Sequence, residues 1–241
     1  MAERVLFTWS GGKDSAMALY ELQKVGDYEI LALLTTVTKD YDRISMHGVR
    51  RILLEQQADS LGYRLEQVFI SKSASNEEYE AKMQEILEKY LKAGVCVIAF
   101  GDIFLEDVRK YREENLSKIG MKAVFPIWKR NTTELAHTFV DLGFKAVITC
   151  VDSKVLDKGF VGRRFDKQFL SELPSNVDPC GENGEFHSFV YDGPIFQENL
   201  LYELGEVVFR DNRFYFCDLI PRRNGIPVIS DSTGFAHRPD S

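Results

Sequence analysis

Six consecutive residues near the start of the chain, Ser10-Gly11-Gly12-Lys13-Asp14-Ser15, combine types that suit a bound polyanion. The two glycines open backbone conformations that other residues resist, and they let an anion approach the main chain closely. The helix expected after them offers unsatisfied N–H groups and the positive end of its dipole. Ser10 and Ser15 add hydroxyl donors, and Lys13 adds a positive charge. Asp14 would repel a bare phosphate but suits a Mg²⁺ ion beside one. The spacing is not that of a Walker A loop, which needs four residues between its first Gly and Gly-Lys-Ser/Thr. A plain strand-to-helix turn capped by Ser10 would need one Ser and no Lys13-Asp14 pair, so the phosphate reading outweighs it.

A second cluster falls at Glu182, Glu185 and His187. Carboxylates this close can bind a metal, hold ammonium or take the proton from an attacking amine. His187 can share that task near neutral pH. On residue types alone, a solvated acidic loop is the simpler account. Asp178 and Asp192 are lesser candidates of the same kind. Arg109 and Arg112 sit three apart on one helix face and suit a phosphate or carboxylate. Surface pairing with Glu106 or Glu113 would occupy them equally well. Arg163 and Arg164 follow Gly162 and are better placed for substrate. His137 lies in a helix between apolar positions and reads as structural, and His237 lies in the tail.

The elements that must position these groups alternate through the first half. Val5 to Trp9 is a short apolar run ending at the hexapeptide, and helical spacing follows to Gly26. Ile30 to Val37, Leu65 to Ile70 and Val95 to Phe100 read as strands. Between them, helical patterns run from Val49 to Leu61, from a cap at Ser75 to Leu91, and from Leu105 to Ile119. Continuous apolar strands separated by helices argue for a parallel sheet covered on both faces. Right-handed crossovers would then bring Ser10–Ser15, Thr35-Thr36 and Gly101-Asp102 to one edge. Thr35 and Thr36 are expected to end the second strand, and Met46-His47 to precede the next helix. Gly101 would permit close approach of a ligand. After Pro126-Ile127-Trp128 the pattern changes. A helix from Thr132 to Leu142, a strand from Lys145 to Val151 and a hairpin across Asp211-Asn212 are expected there, with a loose tail from Arg222. This gives a first domain over residues 1–128, a second over 129–225 and a tail over 226–241.

Composition bounds the class. The 241 residues are 44% hydrophobic and 28% charged, which is ordinary for globular domains. Thirty Lys and Arg against thirty-seven Asp and Glu leave −7, which argues against a nucleic-acid-coating protein. No two of Cys96, Cys150, Cys180 and Cys217 are spaced as C-x-x-C, and Cys96 and Cys150 read as core thiols. The first apolar run is too short for a signal peptide and none is long enough to span a membrane, so the cytoplasm is the expected compartment.

The hexapeptide resembles the PP-loop of the N-type ATP pyrophosphatases. Cys180-Gly181-Glu182-Asn183-Gly184-Glu185-Phe186-His187, with Tyr191-Asp192-Gly193-Pro194, resembles the signature of the diphthine–ammonia ligase (diphthamide synthase) ATP-binding family. Phe100-Gly101-Asp102-Ile103 and Val151-Asp152 to Gly162-Arg163 are similar to further stretches of it. The resemblance runs from residue 4 to about residue 200. It implies an α/β fold: a Rossmann-like, adenine nucleotide alpha hydrolase-like PP-loop domain with a smaller α+β domain. It also implies scission of ATP between its α- and β-phosphates, adenylation of a small-molecule or protein-borne carboxylate, and amide formation with ammonia or an amine.

On this resemblance ATP and Mg²⁺ are the expected cofactors. Ser10, Gly11, Gly12, Lys13, Asp14, Ser15, Thr35, His47, Gly101 and Asp102 would hold the nucleotide, with Asp14 touching the metal. Lys13, Glu182, Glu185 and His187 would carry the chemistry. One departure stands out: diphthine-acting members resemble Glu-Gly-Gly-Glu-Tyr-Glu where this chain has Asn183 and His187. The motif is more similar to a branch associated with amide bonds in cobalamin salvage. A nucleotide-binding sensor without turnover and a tRNA sulfur transferase would also suit a PP-loop. The intact Lys13-Asp14 pair argues against the sensor, and the lack of a Cys pair and of positive charge against the transferase. Oligomeric state, a homodimer included, is not legible.

Overall fold

Side chains alternate across a strand, and β1 (Glu3–Thr8) shows the consequence: Val5 and Phe7 enter one core while Leu6 enters another. All three are fully buried. A strand covered on both faces must lie inside a sheet with layers on either side. The computed structural model describes residues 2–44, 48–223 and 226–227 and has this arrangement.

Around β1 the first sheet gathers β2 (Tyr28–Thr38), β3 (Arg43–Ile44), β4 (Leu65–Ile70), β5 (Val97–Ala99) and β6 (Lys122–Val124). The order is β3-β2-β1-β5-β6, with β4 also on β2. Every pairing is parallel except the short one between β2 and β3. The helices are α1 (Lys13–Val25), α2 (Arg51–Leu61), α3 (Asn76–Lys92) and α4 (Glu106–Ser117). Ser75 caps α3 by accepting from Glu78 N, as its spacing predicts. Leu87 and Tyr90 of α3 and Leu116 of α4 close the smaller core over Leu6, Leu34, Val68 and Ile98.

The rest of the chain builds a second, antiparallel sheet. It comprises β7 (Lys145–Asp152), β8 (Arg164–Phe165), β9 (Phe186–Asp192), β10 (Leu201–Arg210), β11 (Phe214–Arg223) and β12 (Ile226–Pro227). Helices α5 (Thr132–Asp141) and α6 (Lys167–Glu172) accompany it. The larger core is shared: Phe7, Met17, Leu19 and Leu53 join Phe139, Phe165, Phe169 and Phe189 in one cluster. Helix α1 therefore lies between two sheets, which is why Ala16, Met17, Ala18 and Leu19 are buried in succession.

A buried ionic knot reinforces this seam. Arg50 donates to both Asp218 oxygens, at 3.0 and 2.7 Å, and Arg43 donates to Oδ1 at 2.9 Å. Arg43 and Arg50 flank the approach to α2, whereas Asp218 is on β11. Burial works against the Asp218 carboxylate, but the two guanidiniums hold its pKa below the ordinary range.

The structure departs from sequence expectation in several places. Strand β2 continues to Thr38, so Thr35 and Thr36 lie within it, held by parallel pairing with Gln67 and Val68. Cys96 is exposed, because β5 begins only at Val97, whereas Cys150 is buried and its thiol is pushed up to about 12. His137 is exposed on α5. The hairpin is longer than its periodicity suggests and turns through Asp211 and Asn212 at φ 51° and 48°. Arg222 is paired within β11, so the tail begins later. His47 and His237 lie outside the described residues.

Replacing Asp218 by Ala leaves two buried cations without their anion and should cost about 3–5 kcal/mol in urea unfolding at neutral pH. The folded pKa of Asp218 is depressed, so its stabilisation is complete above its ordinary value of 3.8 and is lost as pH falls through the folded value. The gap between variant and parent should therefore close in acid.

Candidate functional site

Strand β1 ends at Thr8, and the chain must turn sharply into α1. Gly11 makes the turn at φ +80°, and a Cβ there would meet Gln57 Oε1 at 2.7 Å. The Gly11 carbonyl points into the protein, where it accepts from Gln57 Nε2 at 3.0 Å and from Val190 N at 2.9 Å. Gln57 is fully buried, donates also to the Val190 carbonyl, and accepts from Trp9 Nε1 at 2.8 Å. The α1 N-cap, Gly12, has no side chain to satisfy the helix start. Ser10 Oγ and Ser15 Oγ lie 3.1 Å apart across the turn, and Ser188 Oγ accepts from Lys13 N at 3.2 Å.

A cavity of about 380 Å³ opens at this edge of the first sheet. Ser10, Lys13, Asp14, Ser15, Thr35, Gly101, Asp102, Glu182 and His187 all contribute to its wall, so two distant segments of the sequence meet there. Gly11 and Gly12 shape the loop that forms one side. Gly101 also makes room within the protein. A Cβ on it would sit 3.0 Å from Ser15 N and 3.1 Å from Ser15 Cα, so its lack of a side chain admits the hexapeptide backbone itself.

The two glutamates of the second motif part company. Glu182 reaches the cavity and accepts from Ile103 N at 3.0 Å. Burial, then the charges of Asp14 and Asp102, push its pKa to about 7 against the opposing pull of Ile103 N–H and Lys13. Glu185 is buried and turned into its own loop, accepting from Asp178 N, Asn183 N and Asn183 Nδ2 at 2.9–3.0 Å. The structure therefore brings Glu182 and His187 to the cavity and leaves Glu185 as a brace. Asp178 is a second brace, accepting from Cys180 N, Glu182 N and Thr132 Oγ1.

The arginines also separate. Arg112 lines the cavity, pairs with Asp102 at 2.9 Å and lies 4.3 Å from the centre of the Phe100 ring. Arg109 pairs with Glu113 and covers Phe125 and Trp128. Arg163 pairs with Glu172 and stacks on Phe160 and Phe169, and Arg164 is exposed on β8, so neither takes the expected place. Asp192 pairs with Lys145. Sequence reasoning missed Gln57 and Ser188. For Gln57 a signal exists, since it falls on the apolar stripe of α2 with Leu53, Leu54 and Leu61.

Comparison with known proteins adds to this geometry. The family model described as the diphthamide synthase N-terminal domain matches residues 3–123. The one described as the diphthamide synthase C-terminal domain matches residues 131–218. A Rattus norvegicus protein named diphthine–ammonia ligase is 27% identical over 271 aligned positions, covering 97% of this chain and 99% of its own length. A Bos taurus protein of the same name is 30% identical over 129 positions, covering 51% of this chain and 47% of its own length. A third of that name, from Schizosaccharomyces pombe, is 24% identical over 228 positions, covering 85% of this chain. The chain spans less than half the length of the bovine and yeast relatives.

Gly101→Ala should displace the hexapeptide backbone and cost about 1–3 kcal/mol in urea unfolding. For Glu182→Gln the sign is opposite. The folded pKa of about 7 lies above the ordinary 4.5, so wild-type stability is lost as pH rises through about 7. At about pH 8 the variant should unfold later than the parent, by up to about 3 kcal/mol, and the difference should vanish near about pH 4. Equal stability of the two at alkaline pH would contradict the buried placement of Glu182.

Proposed function

The chain belongs to the diphthamide synthase family, and from that premise we propose that it is an ATP-dependent ligase that adenylates a carboxylate and then forms an amide with ammonia or an amine. The observation that carries the reading is one cavity holding both a glycine-led helix start and a carboxylate poised near neutral pH. In this reading residues 1–128 hold the nucleotide and residues 129–225 supply the acceptor side.

The outer phosphates would lie over the hexapeptide. The start of α1, where Gly12 supplies no side-chain cap, faces them together with Ser10 and Ser15. The donor set also fits a Mg²⁺ ion. Mg²⁺ takes one or two carboxylates and fills its shell with phosphate oxygens and water. The Asp14 side chain is 29% exposed although it pairs with Lys13, and Glu182 stands in the same cavity. When bound, the ion would neutralise charge on the leaving pyrophosphate.

The acceptor's carboxylate oxygen attacks the α-phosphorus and the bond to the β-phosphate oxygen breaks, releasing pyrophosphate. The nitrogen then attacks the acyl carbon, AMP leaves, and a proton must be removed from the nitrogen. Glu182 is placed to take it, because a base near pKa 7 is half ionised at neutral pH. His187 shares the wall and faces the same task. Thr35 on β2 and Gly101 beyond β5 flank the loop on opposite sides and would border the adenosine.

Turnover with a cognate acid should yield AMP and pyrophosphate, read by phosphorus NMR. ADP and phosphate as products would overturn the proposal. The rate should climb as pH rises through about 7, since only ionised Glu182 accepts a proton. In Glu182→Gln that limb of the profile should disappear along with most of the rate. A screen of carboxylic acids for stimulated pyrophosphate release, with diphthine-bearing elongation factor and corrinoid acids among them, would identify the acceptor.

A further inference from the structure

Lys13 stands in the hexapeptide, yet its ammonium faces away from a phosphate role. Nζ donates to Asp14 Oδ1 at 2.9 Å, to Asp14 Oδ2 at 2.8 Å and to the carbonyl of Cys180. Three acceptors match the three donors an ammonium has. The side chain is 4% exposed, and Nζ lies 5.3 Å from the centre of the Phe186 ring and 5.9 Å from that of Phe165. Both rings belong to the second sheet. Reaching a phosphate would require Lys13 to give up these three bonds.

We propose that Lys13 is a tether: it fastens the loop that carries Glu182 to the start of α1 and so positions Glu182 against the nucleotide. This rests on the reading that the cavity holds ATP. The segment from Asp178 to Glu185 contains no helix or strand. Asp178 and Glu185 close it on itself by accepting from the amides of Cys180, Glu182, Asp178 and Asn183. Those bonds shape the loop but do not attach it to the first sheet. Attachment on that side comes from Ile103 N, which donates to Glu182, and from Lys13, which donates to the Cys180 carbonyl, whereas Thr132 of α5 donates to Asp178 and accepts from Cys180 Sγ. Lys13 is the one charged donor among these, and charge-assisted bonds are about twice as strong as neutral ones. Lys13 also sits within the hexapeptide, so the same residue ties the phosphate-facing turn to the acceptor-side loop.

The test compares Lys13→Met with the parent by hydrogen exchange and by calorimetric binding of a non-hydrolysable ATP analogue. The amides of Cys180, Glu182 and Asn183 should exchange at least about tenfold faster while those of α1 keep their protection. The analogue's Kd should stay within about tenfold of the parent's. Unchanged protection in the loop overturns the tether, and so does a Kd weakened beyond that limit, which is the mark of a direct phosphate contact. If Asp14, left without its cation, prevents folding, the uncharged pair Lys13→Met with Asp14→Asn is read by loop exchange alone, because Asp14 is itself placed on the metal. Neither readout needs turnover. Failure of the parent to release pyrophosphate would sink the ligase reading alone, and unaltered loop exchange would sink the tether alone.

Discussion

The site depends on where one carbonyl points. Gly11 turns its C=O into the protein, where both lone pairs are taken, one by the Gln57 amide and one by Val190 N–H. With that oxygen held inside, the start of α1 is turned toward the cavity and presents a positive field there. A residue with a Cβ could not make the turn without striking Gln57. Gln57 in turn is sealed off from water, so each of its bonds is made in a medium where an unmade one is expensive. The orientation of the loop is thus set by Gln57 and Val190, which lie outside the cavity wall.

Against this positive edge the cavity sets an acidic wall. Asp14, Asp102 and Glu182 share it with Lys13 and Arg112. Lys13 is held by Asp14, and Arg112 by Asp102. Each cation has its own anion, so Glu182 is left as the carboxylate whose charge is poorly compensated, and it is the one that burial and its neighbours raise. A carboxyl group raised toward neutrality arises here from an arrangement in which the other acids are paired.

Much of this is legible in the residues, for reasons that are local. The hexapeptide lies where a strand must become a helix, and continuous apolar strands separated by amphipathic helices leave little room for anything but a parallel sheet. Cavity-lining positions on that edge, such as Ser10, Asp14, Thr35 and Asp102, follow from topology alone. The direction in which a side chain turns within a loop is another matter. Glu182 and Glu185 are indistinguishable by type, and only the loop's closure sends one inward and the other onto its own amides. Arg163 looks available after Gly162, but flanking aromatic rings claim its guanidinium. Cys96 looks internal because apolar neighbours follow it, yet pairing with β1 starts one residue later. Gln57 needs knowledge of three partners, Trp9 just past β1, Gly11 of the hexapeptide and Val190 of β9, and no periodicity carries that.

The bond from Val190 to Gly11 joins residues 179 positions apart, and the aromatic cluster of the second sheet continues without a break into α1. Two halves so joined do not behave as interchangeable modules. Grafting the latter half of a distant relative onto this amino-terminal half would place a foreign strand against the carbonyl that orients the turn, and its fit would have to be re-evolved at Gln57, Ser188 and Val190 together. Substitutions along this seam are accordingly coupled across the whole gene, and divergence is easiest in loop positions that leave the seam untouched.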